Sequence, residues 1–250
     1  MTTTDLVALA LVAALLLTIP VFAVVRRGRP LDADVARRST SVLLGYFARD
    51  WVMWLIGPME RALVRAQVSP DVFNWLGVAF GAAAGAAFAT GRLSLGGWLV
   101  LLGGAADIFD GRIARARGIA APYGAFLDST LDRFAETFAF AGLTLFYAGQ
   151  RWPLLATSLA MGGSLLVSYA RARGEALGVH GAGGVMQRAE RLVILALAAL
   201  ADPWACARAG WAPGTLLAGA VALIAAGALG TALYRTVWTA RRLKEAGPAA

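Results

Sequence analysis

The chain is short of nearly everything a soluble domain relies on. Only 15% of its 250 residues are charged, and its acids number 15 against 23 Lys and Arg. It has one histidine and one cysteine, Cys206. A lone thiol closes no internal disulfide, and a single imidazole beside it argues against zinc held by His and Cys. There is no internal repeat, no stretch long enough for a soluble domain, and no low-complexity tail beyond the last few residues. What remains is 59% hydrophobic, well above the usual soluble composition.

The hydrophobic residues come in runs. Uncharged stretches at 6–25, 72–91, 152–170 and 209–234 are each close to the ~20 residues that a spanning helix needs. Two more are interrupted at one end: 93–106 runs into Asp107, and 137–150 follows Glu136. A seventh, 192–201, is short and spans only by borrowing the polar turn from Arg188 to Arg191. The expectation is an all-α, polytopic helical membrane bundle. The first run could be a signal peptide, but no basic residue precedes it and its length exceeds a usual signal core, so a retained helix is expected. Residues 38–67 interleave Trp51, Trp54, Leu55 and Ile56 with Arg49, Asp50, Glu60 and Arg61, which suits a helix lying in the membrane interface or, failing that, a cytoplasmic linker. Ser69 and Pro70 mark the next helix start, with Ser69 as a candidate cap. Gly77, Gly81 and Gly85 at four-residue spacing offer a face for close helix packing in lipid.

A net charge of +8 raises the question of nucleic acid, but the basic residues follow the membrane. With the N-terminus outside, nineteen of them fall on inner segments, including Arg26, Arg29, Arg38, Arg112, Arg117, Arg188, Arg241 and Lys244. Three, Arg92, Arg151 and Arg208, fall in outer turns, and Arg133 lies within a helix. This positive-inside bias places the Asp107 end on the cytoplasmic side, with a bacterial inner membrane as the expected location, and no nucleic-acid partner is expected.

The acids carry the chemistry. Asp107 and Asp110 are three residues apart, Asp128 and Asp132 four apart, so each pair shares a helix face, and the break at 118–122 lets the two faces meet. Four ionised carboxylates at a membrane edge repel one another, and divalent cations with oxygen ligands remove the conflict. Two such ions can clamp a phosphoryl group between attacking and leaving oxygens. Acids within a membrane also serve ion relays in transporters or hold a structural ion in a scaffold, and Arg115 can be read as a topology anchor as well as a phosphate ligand.

In sequence the cluster reads D-x2-D-G-x2-A-R-x8-G-x3-D-x3-D, from Asp107 through Gly111, Ala114, Arg115 and Gly124 to Asp132. This resembles the signature of the CDP-alcohol phosphotransferases. The resemblance implies a six-helix core, to which this chain adds an N-terminal transmembrane helix and the interfacial helix. It also implies two domains of unequal kind, 1–37 as N-terminal helix and linker and 38–250 as the phosphotransferase membrane domain. Asp107, Asp110 and Asp128 become ligands to two Mg²⁺ or Mn²⁺ ions, and Asp132 becomes the catalytic base as well as a ligand. CDP-diacylglycerol is then held by Gly111, Ala114, Arg115, Ala121 and Gly124 together with Asp71, Val72, Phe73 and Asn74, which match the family's T-P-D/N-x-x-T-x-x-G with Asn74 in place of Thr.

Two further stretches bear on the acceptor. Ser168, Tyr169, Arg171, Arg173 and Glu175, then Gln187, Arg188, Glu190 and Arg191, resemble the S-Y-x-K-A-R-A-E and E-R-P-E-R segments of the phosphatidylinositol phosphate synthases, with Gly174, Gln187 and Ala189 as departures. On this resemblance Arg171, Arg173, Arg188 and Arg191 bind the phosphate of a phosphorylated polyol acceptor, with inositol phosphate ahead of glycerol 3-phosphate. The lipid bilayer is a partner in either case, and a homodimer is a candidate assembly.

Overall fold

The computed structural model describes residues 3–27, 30–37 and 45–246. Arg29, Arg38 and the start of the expected interfacial stretch at residue 38 lie outside the described residues. Among the described residues the chain forms nine helices and no strand: α1 Thr3–Val25, α2 Ala33–Arg37, α3 Tyr46–Arg65, α4 Pro70–Ala89, α5 Leu93–Ala116, α6 Pro122–Phe146, α7 Arg151–Ala176, α8 Arg188–Ala209 and α9 Thr215–Ala246. The protein is a multi-pass membrane protein.

Six of these helices, α1, α4, α5, α7, α8 and α9, are long and apolar enough to cross a membrane. The core bundle is a different six, α4 to α9. Helix α6 fails on hydropathy because Asp128, Asp132, Arg133 and Glu136 lie within it, yet at 25 residues it has the length to span. Helix α8 runs from Arg188 to Ala209, so the short run at 192–201 does borrow the polar turn before it and continues past Asp202 and Pro203.

The breaks follow local chemistry. Pro70 and Pro122 sit in the first turns of α4 and α6, where a missing N–H costs nothing. Gly118 adopts φ +66 between α5 and α6, a left-handed turn that lets the two acid-bearing segments double back. Ser69 precedes α4 as expected but makes no side-chain cap bond. The last helix begins at Thr215, later than the apolar run at 209–234, because Pro213 and Gly214 follow the left-handed cap at Gly210.

Helices α4 and α6 pack backbone to backbone. A Cβ on Gly81 would lie 2.5 Å from Ala135 Cα, and one on Gly85 or Gly142 would collide with the main chain of Phe138 or Gly85. The glycine face of α4 is therefore structural, and it brings α6 from Ala135 to Gly142 against α4. Helix α5 lies on α4 and α8, and α7 on α9. The core fills with Phe88, Phe140, Leu143, Leu195, Leu217 and Ile224. At the end away from the acid cluster, Tyr147 donates to Gly214 O at 2.7 Å, and the fully buried Asp202 accepts from the N–H groups of Gly214 and Leu217 at 2.8 and 3.0 Å, capping α9.

Helix α1 is attached rather than adrift. Phe22 is buried against the rings of Phe47 and Trp54, the indole of Trp51 donates to Thr18 at 2.9 Å, and Ser94 donates to Asp5 at 2.8 Å. Helix α3 mixes charged and apolar residues and falls outside the six apolar spans. Its buried Asp50 pairs with Arg26 at 3.1 Å and accepts from the N–H of Asp32 at 3.0 Å, fixing the strand of chain that carries α2.

Candidate active site

The turn at Gly118 folds the C-terminal part of α5 against the start of α6. Asp107, Asp110 and Asp128 each offer an oxygen, and these oxygens all lie within 4.8 Å of one another. Asp110 is 5% exposed, its Oδ1 accepts from the N–H of Gly111, and its Oδ2 has no partner; Oδ1 of Asp128 is likewise buried and unpartnered. Buried oxygens left without donors are costly unless something positive meets them. An all-carboxylate donor set with orphaned oxygens suits a hard divalent cation.

Asp132 adjoins this trio from the next turn of α6. Its Oδ1 meets Nη2 of Arg188 at 2.6 Å, while Nη1 of the same guanidinium meets Asp107 Oδ1 at 2.8 Å. Arg133 approaches Asp132 at 3.7 Å and donates to Ser129 O. A small cavity of about 10 Å³, near the size of one water, lies between α4, α5 and α6, lined by Phe73, Asn74, Gly77, Val78, Leu131 and three of the aspartates, Asp107, Asp110 and Asp132.

The expected nucleotide residues divide. Phe73 and Asn74 are buried at the acid cluster, Phe73 packing on Phe109 with ring centres 5.5 Å apart. Asp71 and Val72 lie in the first turn of α4, with Val72 exposed. Gly124 has open space where a Cβ would be, Ala121 is exposed and Ala114 half-buried. A Cβ on Gly111 would meet Nη1 of Arg115 at 3.0 Å, so this glycine leaves room for that arginine. Arg115 itself is 40% exposed and pairs with Asp34 of α2 at 2.9 Å. Beside it Arg112 joins Asp32 at 3.0 Å, Asp34 at 3.4 Å and Glu60 at 2.6 Å, a network that binds α2 and α3 to the end of α5. Asp32, which lies outside the membrane-spanning helices, is pushed up by burial, but hydrogen bonds from Arg112 and the Asp34 N–H more than offset this and hold its carboxyl below the ordinary range.

The four expected acceptor arginines divide as well. Arg171 and Arg173 are exposed at the end of α7, Arg171 paired with Glu175 at 2.8 Å. Arg188 sits in the acid cluster. Arg191 is 1% exposed and forms a two-pronged pair with Glu136 at 2.7 and 2.9 Å, its third nitrogen donating to Met186 O at 3.2 Å. Sequence reasoning passed over Glu136 as an interruption of an apolar run. Its position four residues after Asp132 and eight after Asp128 put it on the acid-bearing face and was a readable signal. Arg235 was counted only toward topology, yet it is buried and donates to the carbonyls of Gly183 and Val167 at 2.9 Å, tying the 177–187 connection to α7. No sequence pattern pointed to that.

The family model for CDP-alcohol phosphatidyltransferase matches residues 67–233, which span the acid cluster and five of the six core helices completely. The chain belongs to the CDP-alcohol phosphatidyltransferase family and is a membrane-embedded transferase. It is 38% identical over 157 residues to a phosphatidylinositol phosphate synthase of Cutibacterium acnes, covering 61% of this chain and 75% of the relative. A phosphatidylinositol phosphate synthase of Streptomyces avermitilis is 36% identical over 234 residues, 90% of this chain and 93% of the relative. Crystal structures of the Mycobacterium tuberculosis phosphatidylinositol phosphate synthase, one with CDP-DAG bound and one with manganese and citrate, superpose with TM-scores of 0.64 at 33% identity. They cover 73% of this chain and 92% and 88% of those chains.

Proposed function

We propose that the protein transfers the phosphatidyl group of CDP-diacylglycerol to a phosphorylated polyol, inositol phosphate, with release of CMP. The observation that carries this reading is the meeting of Asp107, Asp110, Asp128 and Asp132 beside arginine side chains at one end of the bundle, in a chain whose relatives are phosphatidylinositol phosphate synthases. Asp107, Asp110 and Asp128, with Asp132 completing the set, would hold two Mg²⁺ or Mn²⁺ ions. When bound, such ions neutralise charge on the transferring phosphoryl group and screen the aspartates from one another. Asp132 accepts the proton of the attacking hydroxyl as the new P–O bond forms and the bond to CMP breaks. Phe73, Asn74 and the thin wall at Gly111 and Gly124 border the nucleotide, with Arg115 available to its phosphates once it leaves Asp34.

For the acceptor, Arg171 and Arg173 are exposed guanidinium groups open to an anion, Arg188 joins them once it leaves Asp107 and Asp132, and Arg191 is a buried prop for the wall behind them. The positive-inside distribution of basic residues supports a cytoplasmic site in a bacterial inner membrane. An interfacial site is also what the chemistry requires, since one substrate carries two acyl chains and the other is water-soluble. Purified protein incubated with CDP-diacylglycerol, Mg²⁺ or Mn²⁺ and a panel of polyols and their phosphates tests the reading. Metal-dependent CMP release should occur with inositol phosphate and not with free inositol. Preference for glycerol 3-phosphate would move the acceptor assignment, and CMP release with no dependence on divalent cation would overturn the mechanism.

A further inference from the structure

Arg188 stands in an unusual place for an acceptor ligand. Its guanidinium bridges Asp107 and Asp132, at 2.8 and 2.6 Å, from opposite sides of the α5–α6 junction, and its Nε is buried without a partner. It enters from a third helix, α8, held on α5 by the close approach of Gly97 to Ala196. The site therefore brings its own cation to four carboxylates that share one end of the bundle. We propose that Arg188 is a built-in counter-ion that competes with the divalent cations for Asp107 and Asp132, so that loading the site with metal requires this guanidinium to turn away. The inference rests on the metal-dependent transferase reading above and goes beyond it.

The physical reason is charge. Asp107 and Asp132 cannot give their full field to a divalent ion while a guanidinium is ion-paired with both, and a monovalent and a divalent cation packed among the same oxygens repel each other. Holding Arg188 there keeps the acids folded together when metal is scarce, at the cost of weaker metal binding. A guanidinium turned out of the cluster is also the group assigned to the acceptor's phosphate, so metal loading and exposure of that anion ligand become one event. Arg133, which meets the other carboxylate oxygen of Asp132 at 3.7 Å, lies on the same helix as that acid and so does not tie α5 to α6.

The test is a Mn²⁺ titration of the purified full-length chain in detergent, followed by electron paramagnetic resonance, for wild type, Arg188→Lys and Arg188→Gln, with Asp128→Asn as the ligand-loss control. Removing a cation that stands 2.8 and 2.6 Å from two of the acid oxygens should tighten Mn²⁺ binding in Arg188→Gln by roughly ten- to a hundredfold. Arg188→Lys, whose ammonium reaches one carboxylate at a time, should lie between, and it preserves the comparison if the glutamine variant does not fold. Thermal unfolding adds a second readout: in chelator, Arg188→Gln should melt below wild type, and saturating Mn²⁺ should close the gap. Equal or weaker Mn²⁺ binding in both variants, with a constant gap in melting temperature, would show a purely structural arginine and sink the proposal. If wild type and Asp128→Asn bind no Mn²⁺ alike, the metal reading of the cluster fails instead.

Discussion

Arg191 separates two readings of the same residue, one from sequence resemblance and one from packing. Suppose it is changed to Met, which keeps the side-chain length and removes the charge. Glu136, itself 6% exposed, then keeps a carboxylate with neither of its bonds at 2.7 and 2.9 Å, and Met186 O loses its donor. Breaking one side of a buried ion pair costs about 3–5 kcal/mol, because the remaining charge is left uncompensated. At ~2–4 °C per kcal/mol for a chain of this size, the melting temperature should fall by about 6–20 °C. Tryptophan fluorescence in detergent can follow this, since the chain has 8 Trp. The double change Glu136→Leu with Arg191→Met should recover most of the loss, because it removes both charges together. Arg171→Ala is the contrast: its partner pair is 61% and 40% exposed, and its loss should cost under ~1 kcal/mol. An Arg191→Met protein with an unchanged melting temperature and a raised acceptor KM would refute the packing argument and restore Arg191 to the acceptor site.

Other consequences can be checked directly. Asp132→Asn should lower CMP release by about 10²–10⁴-fold, the usual worth of a general base, while binding of CDP-diacylglycerol survives; near wild-type turnover would withdraw the base assignment. A cysteine placed in the 117–121 turn of a Cys206→Ala background should react only with reagents that reach the cytoplasm, and one at Gly149 only with external reagents. The reverse pattern would invert the topology. Asp32 titrates below the ordinary aspartate value in the folded protein, so its stabilising share is complete above that ordinary value and is lost as pH falls through the lower native one. Melting curves of wild type and Asp32→Asn should therefore differ near neutrality and converge in acid, and a gap independent of pH would count against the ion-pair network at α2.

Much of this protein is written in short-range pattern. Run length and charge placement determine the helices, because a backbone in lipid must satisfy its own hydrogen bonds and the local sequence suffices to say where it does so. The spacing of three and four between acids likewise determines that Asp107 with Asp110, and Asp128 with Asp132, share faces, and the glycines of α4 announce a tight helix contact. Hydropathy alone misjudges α6, whose charges are tolerable only where other helices answer them, and it offers no reason for Asp202, whose carboxylate is satisfied by N–H groups of the next helix. Which partner each charge meets was decided by tertiary structure. Arg188 and Arg191 are three residues apart on one helix, yet one reaches the acid cluster and the other a buried glutamate, and Arg115 turns to Asp34, 81 residues away in sequence. Such pairings depend on the rotation and depth of one helix against another, set by contacts such as Gly85 on Phe138 and Gly97 on Ala196, and no periodicity within a single helix encodes them.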